Sequence, residues 1–470
     1  MSASTSTEPV DPSVVAALRA DFAGEIVTPG DEAYDQARRV WNGMIDRRPA
    51  VIARCASHAD IAAAVALSRD QGLPLAVRGG GHSAAGFGVC DRGIVVDLSL
   101  MRTVRIDPAA RRASVGGSAT WVDVDRAAQA HGLAVTGGLV THTGVGGLTL
   151  GGGLGNLMRR CGLTCDNLVA ADLICADGER VAVSEQERPD LLWGLRGGGG
   201  NFGVVTRFEY KLHDVGPTVL AGAAVYPLAD APATLRVYRD WAGSLPDEMT
   251  TVVALRSAPP LPFLPSHIHG EPVLMIAACW AGPLDAGEKA LEPLRRATRP
   301  LVDLIGPKPY LHHQSMFDAS APHGRWNYKR NANLPGLPDA VIDALVEHTA
   351  AKTSPHSMTL LFQLRGAVSR IGEYDTAYSD RDAAFNVDVN AQWIDAEDRR
   401  AEEHVRWVRD LHAAILPFST GGAYVNFLNG DEDGDRVRAA YGATKFERLV
   451  ELKRRYDPDN VFRLNQNVRP

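Results

Sequence analysis

"LAVRGGGHSAAGFGVC", residues 75–90, decides how this chain is read. A short apolar run ends in Arg78, three consecutive glycines follow, and His82 and Ser83 close the turn. Glycine lets backbone approach a ligand closely and aim consecutive N–H groups at an anion. Gly79, Gly80 and Gly81 therefore read as an anion-binding turn after a strand. Such a turn has no need of an imidazole, so His82 requires a second role.

Three further turns of this kind follow: "GGLVTHTGVGG" (137–147), "GGGLGNL" (151–157) and "RGGGGNFGVV" (196–205). One glycine cluster reads as a plain turn; four in the first half of a chain imply a large anionic ligand bound in extended form. A dinucleotide fits. Gly198, Gly200 and Gly203 match the GxGxxG spacing, but that fingerprint works only where it opens a helix. Here "VVTRFEYKL" follows, a strand pattern, and no acidic residue ends a second strand. The dinucleotide is expected to be held by another construction.

The remaining composition is that of an ordinary globular protein: 470 residues, 45% hydrophobic, 22% charged, formal net charge −7. The acidic balance argues against nucleic-acid or acidic-membrane partners. No apolar run reaches membrane-spanning length, and "MSASTSTEPVDPSVV" lacks a secretory signal pattern, so a cytoplasmic location is expected. Six cysteines do not make a disulfide framework. Cys161, Cys165 and Cys175 lack a fourth ligand nearby and read as buried thiols, and no metal site is expected. HExxH, GxSxG and P-loop patterns are missing.

Strands are expected at 50–55, 73–78 and 93–98, with a helix between the first two that Ser57 caps and Gly72 stops. A second helix is expected over 120–132, a hairpin about Asp177-Gly178, and a strand over 202–212. The first dozen residues are expected to be mobile. Beyond Gly216-Pro217 the glycine clusters cease, and helices such as 284–297 alternate with strands at 271–280, 357–368 and 385–393, an α+β pattern. Near the C-terminus Thr444 and Glu447 suggest a capping box for a helix ending at Asp457-Pro458.

"VRGGGHSAAGFGVCDRGIVVDLS", "GVGGLTLGGGLGNLMRRCGLTCDNL" and "LLWGLRGGGGNFGVVT" resemble the FAD-binding domain shared with vanillyl-alcohol oxidase. The segment from Tyr424 to Asn467 is similar to the closing segment of the berberine bridge enzyme group, which includes bacterial 6-hydroxy-nicotine oxidases and natural-product tailoring oxidases. The resemblance runs from about Ala50 to the C-terminus, thin in the middle. It implies an α+β chain: a PCMH-type, two-subdomain FAD-binding domain over 1–215 (core about 47–215), an α+β substrate domain with an antiparallel sheet over 216–418, and a segment over 419–470 that returns to the FAD domain.

By this resemblance His82 is the residue joined covalently to the 8α-carbon of FAD; the alternative is a histidine that merely hydrogen-bonds in its turn. Relatives often add a link from a cysteine four residues before the glycine of "GVGG". Val140 stands there, so one covalent bond is expected. The FAD contacts implied are Arg78, Gly79, Gly80, Gly81, Ser83, Gly138, Thr141, Gly144, Gly146, Gly147, Gly152, Gly153, Gly155, Asn156, Gly200, Gly203, Val205, Tyr424, Asn465 and Asn467. His142 either meets the flavin edge or a substrate, or caps a turn.

The implied reaction removes a hydride from a small alcohol, amine or phenol-like substrate to FAD, with O₂ as acceptor. Thr143, just before "GVGG", is well placed by the resemblance to influence the path of O₂; relatives often have an apolar residue there. The alternatives are a dehydrogenase passing electrons to a quinone or protein, and a flavin-binding protein without catalysis. Tyr424 is the first candidate to polarise a substrate, with domain-junction packing as the competing role. Period-two alternation places Thr359, Gln363 and Arg365 on one strand face, and Asn386, Asp388 and Asn390 on another. Either face could line a substrate cavity or meet solvent, and no single acidic base stands out. The assembly is expected to be a monomer or homodimer.

Overall fold

The computed structural model describes residues 11–262 and 264–470. The mobile N-terminal stretch expected from the sequence falls largely on residues 1–10, outside those described. The Asp11 carboxylate accepts from Ser13 N and caps the helix Pro12–Ala20.

The glycine turns hang from two sheets. In the first, Val51–Arg54, Ile94–Asp97 and Leu75–Arg78 run parallel, and Glu25–Val27 adds an antiparallel edge. The crossover is the helix His58–Asp70, opened by a capping box between Ser57 and Asp60. Its buried Ile61, Ala64, Val65 and Ser68 recur at helical spacing and face the sheet. The second sheet is antiparallel, in the order Val104–Asp107, Arg112–Gly116, Val204–Lys211, Leu168–Ile174, Arg180–Ser184. Its last two strands form the hairpin about Gly178, which adopts φ +86°. Val204–Lys211 leaves Gly203 directly as a strand, so the GxGxxG spacing opens no helix.

The third sheet has eight strands, all antiparallel. Val302–Asp303, Thr218–Pro227, Pro272–Trp280, Met249–Ser257, Met358–Gln363, Phe385–Trp393 and Trp326–Leu334 follow one another, and Gly306–Pro309 also pairs with Thr218–Pro227. One face is covered by helices, and Leu361, Val387, Val389 and Ala391 pack there with Trp407, Val408, Leu411 and Ile415 of helix Ala401–Ile415. The opposite face meets the glycine turns: Val252, Ala277 and Phe362 share a core with Leu139, Leu154 and Met158. The result is the mixed α+β architecture read from the sequence. Among the described residues no helix is long and apolar enough to cross a membrane.

Two local readings are corrected. The strand expected over 357–368 stops at Gln363, because Arg365 (φ +65°) and Gly366 (φ +63°) turn the chain into the short helix Ala367–Arg370. The C-terminal helix Ala443–Tyr456 has no side-chain cap; Gly442 at φ +75° precedes it, and Thr444 lies inside its first turn.

That helix anchors the end of the chain. Lys453, fully buried, pairs with the equally buried Asp457 at 2.7 Å and donates to Asn201 O and Phe462 O, both at 2.9 Å. Asp457 also accepts from Val461 N and Phe462 N. Removing one partner of a buried, hydrogen-bonded pair strands the other charge. Lys453→Met is therefore expected to destabilise the protein by about 3–5 kcal/mol, read from the urea midpoint. A loss below about 1 kcal/mol, the range of an exposed pair, contradicts this account.

Candidate active site

A cavity of about 370 Å³ lies where the three sheets meet, walled by the glycine turns, by one face of the large sheet and by the segments 424–428 and 464–466. Two glycine turns touch: a Cβ on Gly80 would lie 2.4 Å from Gly144 N, and one on Gly144 2.4 Å from Gly80 N. Only glycine permits that approach. The turns bring Arg78 to Ser83, Gly138, Gly144, Gly146, Gly147, Gly200, Gly203 and Val205 to the cavity surface. Gly147 and Gly200 have no heavy atom within 4 Å of where a Cβ would stand, which leaves a backbone cradle.

His82 borders this cavity. Its Nε2 faces His142 Nδ1 at 2.7 Å, one ring donating to the other, and Trp41 stacks on it at 4.9 Å between centroids. His323 approaches edge-on, and one ring nitrogen from each of the three histidines lies within 4.8 Å of the others. Burial first, then the proximity of the protonatable His142, His323 and Lys329, holds His82 well below the usual imidazole range. Burial lowers His142 as well. Both rings are neutral at pH 7, so His82 keeps a lone pair for bonding.

The sheet wall carries the polar chemistry. Asp388, Asn390 and Gln392 border the cavity together with Met358, Leu360 and Phe362 of the next strand, where Met358 opposes Asn390 and Leu360 opposes Asp388. Asp388 Oδ2 accepts from Lys329 Nζ at 2.9 Å, while its Oδ1 is buried with no partner. Burial outweighs the Lys329 charge and raises the carboxyl above its ordinary range. Lys329 also sits over the Phe427 ring at 4.2 Å. Opposite stands Tyr424, whose hydroxyl oxygen accepts from Gly153 N at 2.9 Å and Asn426 Nδ2 at 2.8 Å. Burial pushes its pKa up to about 12. With both lone pairs engaged, its O–H is left to donate.

Several residues singled out from the sequence do not border the cavity. Gln363 lies on the helix-covered face, accepting from Thr251 Oγ1 and donating to Ala242 O; Thr359 shares that face. Arg365 stands beyond the strand end and donates to Pro335 O. Gln363 thus faces away from the cavity by register, and Arg365 lies past the end of the strand, so neither candidate borders the cavity. Thr141 binds Asp318 through its N and Oγ1, and Asn156 reaches Gln314, which holds Gly138 O. Gly152 (φ +129°) admits the rings of Tyr378 and Tyr424, Gly153 donates to Tyr424, and Gly155 packs on Gly137. These residues place the wall and do not form it. Asn465 borders the cavity and donates to Gly200 O, while Asn467, one turn of alternation further, does not.

Lys329, Trp41, His323 and Asn426 were not singled out. For Lys329 a signal existed: in "NYKRNANL" every odd position from Asn327 to Asn333 is polar, a strand with one polar face.

The same residues accommodate FAD. Arg78 Nη1 and Asn465 Oδ1, both on residues bordering the cavity, are buried without partners, and the open glycine cradle lines the same cavity. Residues 49–184 match the FAD binding domain family, and 423–469 match the berberine and berberine-like family. An FAD-linked oxidoreductase of Dictyostelium discoideum is 30% identical across 95% of both chains. The chain belongs to the berberine bridge enzyme-like FAD-linked oxidoreductases. It is an FAD-dependent oxidoreductase acting on a small organic substrate. The (R)-6-hydroxynicotine oxidase of Paenarthrobacter nicotinovorans is also 30% identical, over 95% of this chain and 97% of that one. The crystal structure of 6-hydroxy-D-nicotine oxidase from Arthrobacter nicotinovorans superposes with a TM-score of 0.86 at 29% identity, covering 96% and 98% of the two chains.

Proposed function

We propose that this oxidoreductase carries FAD bonded once, through His82, and oxidises its substrate at the expense of O₂. The carrying observation is the pairing of His82 Nε2 with His142 Nδ1 at 2.7 Å on the cavity wall. With His82 Nε2 as the donor to His142 Nδ1, His82 Nδ1 keeps a free lone pair for the bond. An 8α-histidyl FAD is named for the glucooligosaccharide oxidase of Acremonium strictum, whose structure shares this fold. That enzyme also has a 6-S-cysteinyl link; Val140 borders the cavity here, and all six cysteines of this chain are buried. In this reading residues 47–215 hold the cofactor, 216–418 supply the substrate wall, and 419–470 close the site with Tyr424 and Asn465.

Bound FAD supplies the hydride acceptor and the centre that returns electrons to O₂. The chain supplies position and proton handling. Substrate lies between the glycine cradle and the sheet wall. Tyr424 donates its hydroxyl hydrogen to the substrate heteroatom, and the open Asp388 Oδ1 receives the O–H or N–H proton released with oxidation. Lys329 holds the other carboxylate oxygen and keeps the group oriented.

Thr143 borders the cavity just ahead of the Gly144 contact, where a small acceptor would pass. Anaerobic reduction of the purified protein, then mixing with air-saturated buffer, is expected to restore the oxidised flavin spectrum within seconds. Recovery over minutes, beside fast turnover with a quinone or dye, would assign the protein to the dehydrogenases.

A further inference from the structure

We propose that the rim of the cavity is a subsite for an anionic group, a carboxylate or a phosphate ester, borne by the substrate and gripped by Arg256 and Arg325. This rests on the reading that the cavity oxidises a small molecule, and names the class of molecule.

Arg256 lies on the cavity face of the large sheet. It pairs across the ladder with Met358, which pairs with Asn390, which pairs with Lys329; directly opposed residues share a face. Met358, Asn390 and Lys329 all border the cavity. Arg256 Nη1 donates to Ser320 Oγ at 2.7 Å, and Ser320 is itself a cavity residue. Arg256 Nε donates to Ser257 O. The rest of its guanidinium has no partner among the described residues.

The charge around it is one-sided. Among the described residues neither Arg256 nor Arg325 joins an ion pair, and the charge felt by Arg256 is that of Arg325. His356 sits beside both arginines, and their charges add to its burial in disfavouring the protonated form. Asp318, two residues from Ser320, is held by Thr141, which donates to its two oxygens at 2.8 and 2.7 Å, and it forms no ion pair with either arginine among the described residues. The other cation in the same row, Lys329, is matched by Asp388. The cavity thus has a neutralised pair at one side and two uncompensated guanidinium groups at the other.

A largely buried guanidinium without a counter-ion is costly, and its fork of donors suits a planar carboxylate or a phosphate. The row from Arg256 to Lys329 spans three strand spacings, about 14 Å. An elongated substrate anchored by an acidic end at Arg256 and Arg325 reaches the Lys329–Asp388 pair and Tyr424 with its reacting end.

The test uses the flavin-loaded protein, its yellow absorption confirmed beforehand. Benzoate, phenyl phosphate, benzamide and benzylamine are titrated by calorimetry at low and high salt. At least one anion is expected to bind about tenfold or more tighter than benzamide, with the preference shrinking in salt, and the tighter of the two tells carboxylate from phosphate. Arg256→Met is expected to erase that preference and Arg256→Lys to keep part of it. Arg325→Met, at a half-exposed position, is expected to reduce it several-fold. Equal or tighter binding of benzamide or benzylamine overturns the proposal, as does an anion preference untouched in Arg325→Met and any folded Arg256 variant. A protein that prefers the anions but never bleaches with any substrate would sink the oxidase reading and leave this subsite standing.

Discussion

His82→Ala is expected to yield protein whose flavin leaves quantitatively on acid precipitation. The wild-type pellet is expected to stay yellow, its denatured band to fluoresce under ultraviolet light, and digestion to place flavin on one peptide, that containing residues 78–83. The variant loses the band entirely, because alanine offers no nucleophile and none of the buried cysteines replaces it. It still takes up flavin reversibly, since the Gly80–Gly144 contact and the open positions at Gly147 and Gly200 are backbone features that the substitution leaves alone. His142→Ala separates the roles further: it keeps the nucleophile but removes the partner of Nε2, so attachment slows without vanishing. Fluorescence persisting in the His82→Ala band, or flavin on two wild-type peptides, would refute single attachment at this residue.

The parts of this site that were legible in the sequence are those whose chemistry is local. A glycine turn announces itself because the demand for missing side chains is met by neighbouring residues in the chain, and His82 could be singled out from its own turn. Which face of a strand meets the cavity was not legible. "FNVDVNAQW" shows polar residues at every second position, and "SMTLLFQLRGAV" does so up to Arg365 apart from Leu361. Only pairing decides between them: Asn390 opposes Met358 and Asp388 opposes Leu360, so the even positions face the cavity and Gln363 faces the helices. Gln363 is polar there because Thr251 and Ala242 satisfy its amide, a buried contact with partners more than a hundred residues away.

Distance in sequence hid the remaining partners for the same reason. Trp41 comes to stack on His82 from a segment ahead of the first parallel strand, and Lys329 reaches Asp388 across 59 positions. Tyr424 was found through resemblance, but what fixes it is the sheet: Asn331 Oδ1 accepts from Tyr424 N at 2.7 Å, and Asn386 in turn donates to Asn331. An asparagine ladder of this kind has no local signature beyond alternation.

Asp388→Asn is expected to lower kcat/KM by about 10²–10⁴-fold, the range for losing a positioned general base, with little change in flavin content. The amide oxygen still accepts from Lys329, so the cation over Phe427 is not left bare and the wall keeps its shape. What disappears is the partnerless carboxylate oxygen that could receive a proton. Because burial raises the Asp388 pKa, the wild-type rate is expected to fall on the acid side as the carboxyl protonates, with this limb above the usual carboxylate range. It is expected to vanish in the variant. Tyr424→Phe acts differently: it removes a donor to the substrate and takes the acceptor from Gly153 N, while Asn426 Nδ2 keeps Leu148 O, lowering kcat without moving the acid limb. Stopped-flow reduction of the flavin across pH distinguishes the two. An Asp388→Asn protein that is reduced at the wild-type rate with the acid limb intact would remove Asp388 from the proton path and leave Tyr424 as the group to pursue.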